Sequence, residues 1–160
     1  MGSRLSIQDR AYIAGFLDGD GSLMFQIKRV SDRTSGYRIM MTICFYQDTR
    51  HEKPLYWIQR KLRIGYVTRR NDGMTELRIN GYRQTKKILE LLLPFVQFKR
   101  AQARAVIRAA GILMRQTLKK LSVAKKMQLL RCFFLVQDHN YRSHNRKKKY
   151  DLMKMLNLTP

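Results

Sequence analysis

Two carboxylates close together in the chain are the residues best suited to chemistry: Asp18 and Asp20, in the segment Asp18-Gly-Asp-Gly21. Carboxylates bind divalent metals, and a metal beside a phosphate activates water and stabilises the leaving oxygen of an in-line displacement. On a helix the two residues would point about 200° apart, so only one of them can face a given site. The segment therefore predicts a metal-dependent hydrolytic site to which it contributes one of its two aspartates.

Two glycines in the preceding residues indicate how a second carboxylate could be supplied. Gly15 and Gly19 lie four residues apart on one helical face, where missing side chains let a second helix approach closely. The segment occurs once, so the second helix must come from another copy of the chain. Two-fold pairing would bring the helix-end aspartates together at the centre. We expect this dimer interface to centre on Ala14, Gly15 and Gly19.

The segment that carries these residues has the features of a buried helix. Ser6 and Asp9 resemble an N-cap and an acidic first turn, which predicts a helix from about Ile7 to Asp18. Residues 11–17 include no charged or strongly polar side chain, whereas a helix on a surface shows a polar stripe. We therefore expect contacts on both sides of this helix.

Apolar residues then alternate with polar ones, as in half-buried strands, before helical spacing returns. The expected elements are strands Ser22–Lys28 and Tyr37–Tyr46, a helix Lys53–Arg63, strands Gly65–Arg70 and Met74–Asn80, and helices Gln84–Leu93, Lys99–Lys120, Ser122–Asp138 and Tyr150–Leu158. This order predicts an α+β fold, an αββαββα core in which a four-stranded antiparallel sheet carries helices on one face, plus C-terminal helices. We expect one domain over residues 1–160, with its core at about 7–110 and a helical extension at about 111–160.

The charge of the chain predicts a nucleic-acid partner. Lysine and arginine total 33 against 11 acidic residues, a formal net charge of +22 that exceeds what solubility requires. No apolar run is long enough for a membrane span, and Cys44 and Cys132 show neither zinc nor disulfide spacing. We expect a soluble intracellular protein of the cytoplasm or an organelle, with reduced cysteines, no membrane partner and no small-molecule substrate.

The sheet face without helices has the composition of a DNA-reading surface. A two-stranded ribbon fits the major groove, where Arg, Lys, Gln and Asn read base edges, whereas outward Met40, Cys44 and Tyr46 could meet thymine methyls or neighbouring strands. The expected DNA contacts on this face are Gln26, Lys28, Arg38, Met40, Thr42, Thr68, Arg70, Glu76, Arg78 and Asn80. Further along the chain, a phosphate clamp or a solvated charge run is expected at Arg142, Arg146, Lys147 and Lys148.

Residues Ile13-Ala-Gly-Phe-Leu-Asp-Gly-Asp-Gly21 resemble the LAGLIDADG motif of homing endonucleases at every class of position, and the resemblance extends over residues 7 to about 110. A single motif is typical of members that act as homodimers. The resemblance implies an enzyme that binds a long, pseudo-palindromic double-stranded DNA site and hydrolyses both strands, leaving short 3′ overhangs. It implies magnesium as the cofactor, for which manganese can substitute.

The resemblance also implies roles for individual residues. Asp20 would be the catalytic aspartate, with Gly19 and Asp20 at the metal. Gln47 occupies the place of a glutamine that organises water, and Lys99 resembles the basic residue that follows the family's Pro-Phe turn. His51 stands where many members carry arginine, and a neutral imidazole stabilises charge less than a guanidinium does. The expected catalytic residues are Asp20, Gln47, His51 and Lys99.

Two other functions fit the same basic scaffold. An RNA-binding cofactor of intron splicing would share the charge, since some proteins similar to this family bind their host intron and have lost cleavage. A DNA-binding regulator would usually add a DNA-binding domain, and the C-terminal helices show no clear helix-turn-helix. Asp20, Gln47 and Lys99 together favour the nuclease, because a pure binder gains nothing from a carboxylate that repels phosphate.

Overall fold

The computed structural model describes residues 5–29, 37–140 and 149–158. Its helices are α1 (Ile7–Asp20), α2 (Lys53–Leu62), α3 (Tyr82–Leu92), α4 (Arg100–Arg115), α5 (Val123–His139) and α6 (Lys149–Met155). The strands β1 (Gly21–Arg29), β2 (Tyr37–Asp48), β3 (Tyr66–Arg69) and β4 (Met74–Asn80) form an antiparallel sheet in the order β1-β2-β4-β3. The predicted α+β class and the four-stranded sheet are confirmed.

Helix α1 begins at a reciprocal cap and ends at a tight junction. The Ser6 hydroxyl accepts a hydrogen bond from the Asp9 N–H (3.0 Å), and the Asp9 carboxylate accepts one from the Ser6 N–H (3.1 Å). The helix extends beyond the expected end at Asp18, and β1 starts directly at Gly21. An added Cβ at Gly21 would lie 2.7 Å from the main-chain oxygen of Leu17, so a larger residue would force the junction apart.

Only one side of α1 is buried within the chain. Ile13, Ala14 and Leu17 are fully buried, whereas Gly15 and Gly19 are exposed. The prediction that Ala14 lies at a dimer interface stays a prediction, but its side chain is already buried within its own chain. Neighbouring helix residues point about 100° apart, so the Ala14 methyl group enters the core while Gly15 faces outward. The outer side of α1 is left with two glycines.

The inward side chains of the sheet follow the predicted alternation. The residues that face the helices are buried: Leu23, Phe25, Ile27, Ile39, Met41, Ile43, Phe45, Leu77 and Ile79. Cys44 of β2 was expected to point outward and is nonetheless fully buried, because the register places it between Ser22 of β1 and Arg78 of β4. Burial raises the pKa of its thiol. The middle of the open face is therefore covered by its own side chains.

The C-terminal helices complete the cover of the sheet. The single helix expected over Lys99–Lys120 is interrupted: α4 ends at Arg115, and extended residues turn the chain so that α5 packs back against α4. Phe133 of α5 meets Phe25 of β1 edge to face, with ring centroids 5.4 Å apart. The expected boundary near residue 110 falls inside α4, so these helices share the core. None of the helices in the described ranges is long and apolar enough to cross a membrane.

Candidate functional site

The two aspartates at the end of α1 have opposite environments. Asp18 is buried, and its carboxylate accepts hydrogen bonds from the backbone N–H groups of Gln97 (2.6 Å) and Lys99 (2.9 Å). Asp20 is exposed, and within the described residues no hydrogen bond or ion pair engages its carboxylate. Asp18 therefore ties α1 to the residues before α4, and Asp20 is the aspartate left for chemistry.

Lys99 brings a positive charge to the same helix end. Its Nζ donates a hydrogen bond to the main-chain oxygen of Asp18 (2.5 Å), one of the carbonyl groups that a helix C-terminus leaves unpaired. This explains a lysine directly before α4, where the helix dipole alone would favour an acid. Burial lowers the pKa of the Lys99 ammonium group, and the charges of Asp18 and Asp20 offset this only in part.

Gln47 lies at the same end of the sheet as Asp20. The register pairs Gly21 with Phe45, so Asp20 precedes this pair and Gln47 follows it on the neighbouring strand. The Gln47 Oε1 accepts a hydrogen bond from the N–H of Asp48 (2.9 Å). Because that bond requires the oxygen, it fixes the orientation of the amide and leaves its Nε2 as the donor for a further partner.

His51 is exposed in a short 3-10 turn, Thr49–His51, that follows β2. The next residue anchors this turn to the sheet. The Glu52 carboxylate is nearly buried, and it accepts hydrogen bonds from the Arg69 guanidinium (2.5 Å) and the Thr75 hydroxyl (2.7 Å). These partners, Arg69 first, lower the pKa of Glu52 to about 2. His51 therefore projects from a fixed turn at the same end of β2 as Gln47.

An open cleft of about 720 Å³ adjoins the end of α1. Its lining combines Gly19 and Lys99 with His139 and Asn140 at the end of α5. Neither His139 nor Asn140 was among the expected site residues. Both lie far along the chain from the acidic motif, and no local pattern connects them with it.

The open face of β3 and β4 holds a carboxylate between two arginines. Glu76 is nearly buried; its Oε1 accepts a hydrogen bond from Arg78 (2.6 Å), and its Oε2 lies 3.7 Å from the Arg70 guanidinium. Glu76 also raises the pKa of Arg78. The expected role of Glu76 as a DNA contact stays a prediction, although the side chain is only 7% exposed and already accepts a hydrogen bond from Arg78.

The remaining expected DNA contacts differ in how much surface they offer. Thr42 is nearly buried, and its hydroxyl already donates to Asn80 (2.7 Å), which corrects its expected exposure. Lys28 and Arg38 are exposed and face each other across β1 and β2. Exposed or half-buried on this face are Gln26, Lys28, Arg38, Met40, Thr68, Arg70, Arg78 and Asn80. Outside the described residues lie Arg142, Arg146, Lys147 and Lys148.

Gly15 and Gly19 leave the outer side of α1 open. A Cβ added at either position would meet no atom of the described residues within 4 Å. Alanine stabilises a helix interior by up to about 1 kcal/mol relative to glycine. The chain by itself therefore gives no reason for glycine at these positions, which favours close approach by another molecule.

A metal at this helix end would need ligands beyond those that the described residues supply. Among the described residues, no three His, Cys, Asp or Glu side chains form a cluster that could hold a metal ion. The end of α1 offers the Asp20 carboxylate and the Gly19 main-chain oxygen. Magnesium is usually held by one or two carboxylates together with substrate phosphates. The donor set therefore fits a divalent metal ion whose other ligands are phosphate oxygens and water.

The sequence profile of the LAGLIDADG endonucleases matches residues 13–99, more than half of the chain, and the chain belongs to this family. The matched segment runs from the apolar end of α1 to Lys99. It thus includes Asp20, Gln47, His51 and Lys99.

Two curated relatives are DNA endonucleases. The chain is 39% identical over 98 residues to I-CvuI of Chlorella vulgaris, a match that covers 61% of each protein. It is 29% identical over 97 residues to I-CreI of Chlamydomonas reinhardtii, a match that covers 61% of this chain and 59% of the relative. The sequence matches thus span about three fifths of the length of these relatives.

The solved structures extend the likeness over nearly the whole chain. I-CvuI in complex with its target in the presence of calcium superposes with a TM-score of 0.83 and 28% identity, covering 96% of this chain and 97% of that one. I-CvuI has also been crystallised with the I-CreI target in the presence of magnesium. The archaeal endonuclease I-Vdi141I, complexed with DNA, shares the fold at a TM-score of 0.79 and 17% identity, covering 94% and 95% of the two chains.

Proposed function

We propose that this protein is a homing endonuclease that acts as a homodimer on a long, pseudo-palindromic double-stranded DNA site and hydrolyses both strands, leaving short 3′ overhangs. The contrast between the two aspartates carries the proposal: backbone donors engage Asp18, while Asp20 stays free beside Lys99. The likeness to I-CvuI, crystallised with its target, supports the same kind of substrate.

The homodimer follows from the outer side of α1. Two copies related by a two-fold axis can approach along Gly15 and Gly19, where no side chain intervenes. Asp20 follows Gly19 directly, so pairing there brings two Asp20 carboxylates near the axis. Together with phosphate oxygens they complete the donor set that the described residues of one chain lack.

Magnesium, for which manganese can substitute, would be held by the Asp20 carboxylate and the Gly19 main-chain oxygen. When bound, it supplies activation of the attacking water and stabilisation of the leaving oxygen. The Lys99 ammonium group neutralises charge on the phosphate. The Nε2 of Gln47 donates a hydrogen bond that orients water. His51 donates a single hydrogen bond to phosphate, whereas the guanidinium group of an arginine would donate two.

The open sheet face is proposed to read base edges in the major groove. Glu76 accepts a hydrogen bond from Arg78 and lies 3.7 Å from Arg70, which pairs with Asp72 at 2.7 Å. Lys28 and Arg38 are exposed on the other half of the face. An arginine that grips a guanine through two hydrogen bonds contributes about 1–3 kcal/mol of discrimination against the wrong base. Arg78 is suited to this role because its hydrogen bond to Glu76 orients the guanidinium group before DNA binds.

The test is cleavage of a randomised duplex library by the purified protein, with magnesium and with a chelator. We expect magnesium-dependent cuts in both strands, 3′ overhangs at the recovered ends, and a recovered site whose halves are related by a dyad. Sequencing of the cut ends measures all three.

The matched control is Asp20→Asn, which should bind the recovered site without cutting it. Cutting that survives either the chelator or this substitution would contradict the proposed site. A protein that binds no duplex at all would contradict the proposed substrate.

A further inference from the structure

The end of α5 is held in place by one asparagine side chain. The Nδ2 of Asn140 donates to the main-chain oxygen of Leu23 in β1 (3.0 Å), and its Oδ1 accepts from the Nε2 of Gln102 in α4 (3.0 Å). β1 is an edge strand, so an outward carbonyl group there needs such a partner. Gln102 is only 3% exposed and lies one helical turn after Lys99. Asn140 thus joins α5 to the two elements that border the cleft.

His139 is the side chain that this corner presents to the cleft. It is exposed and shares the cleft lining with Gly19 and Lys99. Its Nδ1 lies 2.8 Å from the main-chain oxygen of Leu135. A carbonyl oxygen only accepts hydrogen bonds, so Nδ1 carries a proton and Nε2 is the nitrogen left for another partner. A protonated Nε2 makes the charge-assisted hydrogen bond that phosphate oxygens accept.

We propose that the end of α5 is a further part of the DNA-binding cleft, in which His139 contacts a backbone phosphate and Asn140 is the positioning residue that holds it there. The inference rests on the proposed function, since it requires DNA beside the end of α1. A phosphate is the fitting partner because the cleft adjoins Asp20, where the phosphodiester to be cut must lie, and because Lys99 adds positive charge to the same lining.

The first test compares His139→Ala with Lys119→Ala. Lys119 is an exposed cation in the 3-10 turn Leu118–Lys120 and does not line the cleft, so it controls for loss of charge alone. Binding to the recovered site is measured across a salt series without divalent metal, at one slightly acidic pH for all variants. His139→Ala should weaken binding about tenfold, because a charge-assisted contact is lost.

The salt dependence identifies the contact as one with phosphate. Loss of one phosphate contact from each protomer should reduce the slope of log K against log salt by about 0.9 per contact, while Lys119→Ala leaves the slope nearly unchanged. His139→Lys should restore the slope and His139→Gln should not, since only the former supplies a positive charge. The proposal is overturned if His139→Ala behaves like Lys119→Ala, or if the neutral glutamine restores the slope.

The second test asks whether Asn140 acts through His139. Asn140→Ala should weaken DNA binding in the wild-type background and have little further effect in the His139→Ala background. Its effect on thermal unfolding should be equal in both backgrounds, because the hydrogen bonds to Leu23 and Gln102 are lost in either. Equal losses of affinity in the two backgrounds would overturn the positioning role.

The outcome for the wild-type protein separates this inference from the proposed function. If the wild-type protein binds and cuts its site but His139→Ala has the same DNA affinity and salt dependence as Lys119→Ala, only the role of His139 is contradicted. A wild-type protein that binds no duplex removes the proposed function.

Discussion

The end of α1 and the open face of β4 each place carboxylates among basic residues, and they use them in opposite ways. At the helix end, Asp18 is engaged by backbone donors, while Asp20 remains without a hydrogen-bond partner in the described part of the chain. On the sheet, Glu76 is nearly buried and holds Arg78 and Arg70. One region leaves a carboxylate available, and the other uses a carboxylate to present arginines.

The difference shows that the role of an acid in a strongly basic protein is set by the donors around it. A free carboxylate beside DNA repels phosphate unless a metal ion lies between them. The exposed carboxylate of Asp20 therefore favours a metal-dependent reaction. A carboxylate between two guanidinium groups restricts their motion before a ligand arrives, which favours recognition. Substitutions of these acids, and of the glycine beside Asp20, test whether the two regions use their carboxylates in these different ways.

The largest effect is expected for Asp20→Asn. The amide cannot replace the metal ligand, and several kcal/mol of charge stabilisation should be lost, so cleavage should fall about a thousandfold or more. DNA affinity should stay the same or rise slightly, because a negative charge beside phosphates is removed. Single-turnover cleavage and binding to the recovered site measure the two effects, with Asp151→Asn, an exposed acid of α6, as the control.

Gly19→Leu should separate the subunits. The described chain leaves open space at Gly19, so its own fold should tolerate the side chain, whereas a second helix at this position would clash with it. Overpacking of about 3 kcal/mol would weaken self-association about a hundredfold. Sedimentation over a range of concentrations measures this, with Gly111→Leu in α4 as a helical-glycine control. If the dimerisation constant is unchanged, the two copies do not pair along this side of α1, and the two Asp20 carboxylates do not meet there.

Asp18→Asn should act on folding more than on chemistry. One oxygen that accepts from Gln97 or Lys99 would become an N–H group facing a donor, which leaves a buried backbone group unsatisfied and costs about 1–3 kcal/mol. Urea unfolding of this variant beside Asp20→Asn measures the difference. If Asp20→Asn proves the more destabilising of the two, the assignment of a structural role to Asp18 is wrong.

The smallest effect is expected for Glu76→Gln. The neutral amide keeps one acceptor for Arg78 and removes the charge 3.7 Å from Arg70, which keeps its ion pair with Asp72. Total DNA affinity should change little. The loss of a negative charge strengthens binding, and the less ordered arginine side chains weaken it by a similar amount. Discrimination between the recovered site and single-base variants should fall about tenfold at the pairs that the arginines read, within the range of one base contact. A competition assay with these variants gives the ratio directly, and unchanged discrimination would show that Glu76 does not orient the arginines for reading.

Several features of the fold could be predicted from the sequence because they depend on residues that are close together in the chain. The cap at Ser6 and Asp9 and the alternation from Leu23 to Ile27 are local patterns, and both are present in the structure. The end of α4 at Arg115, five residues before the expected end at Lys120, was missed, since residues 99–120 contain no proline and the turn depends on where α5 packs. Cys44 was expected outward because alternation predicts direction, whereas burial depends on the neighbouring strands.

The sequence by itself determined the motif Ile13–Gly21, the order of the elements, the excess of positive charge and the small set of residues able to do chemistry. Helix geometry also required that only one of Asp18 and Asp20 face the site. Only the tertiary structure decided that backbone donors near Lys99 engage Asp18, that Ala14 fills the core, and that His139 and Asn140 line the cleft beside Lys99. The physical reason is that a polar group becomes structural or stays available according to the donors and acceptors packed against it, and these come from parts of the chain that no local pattern connects.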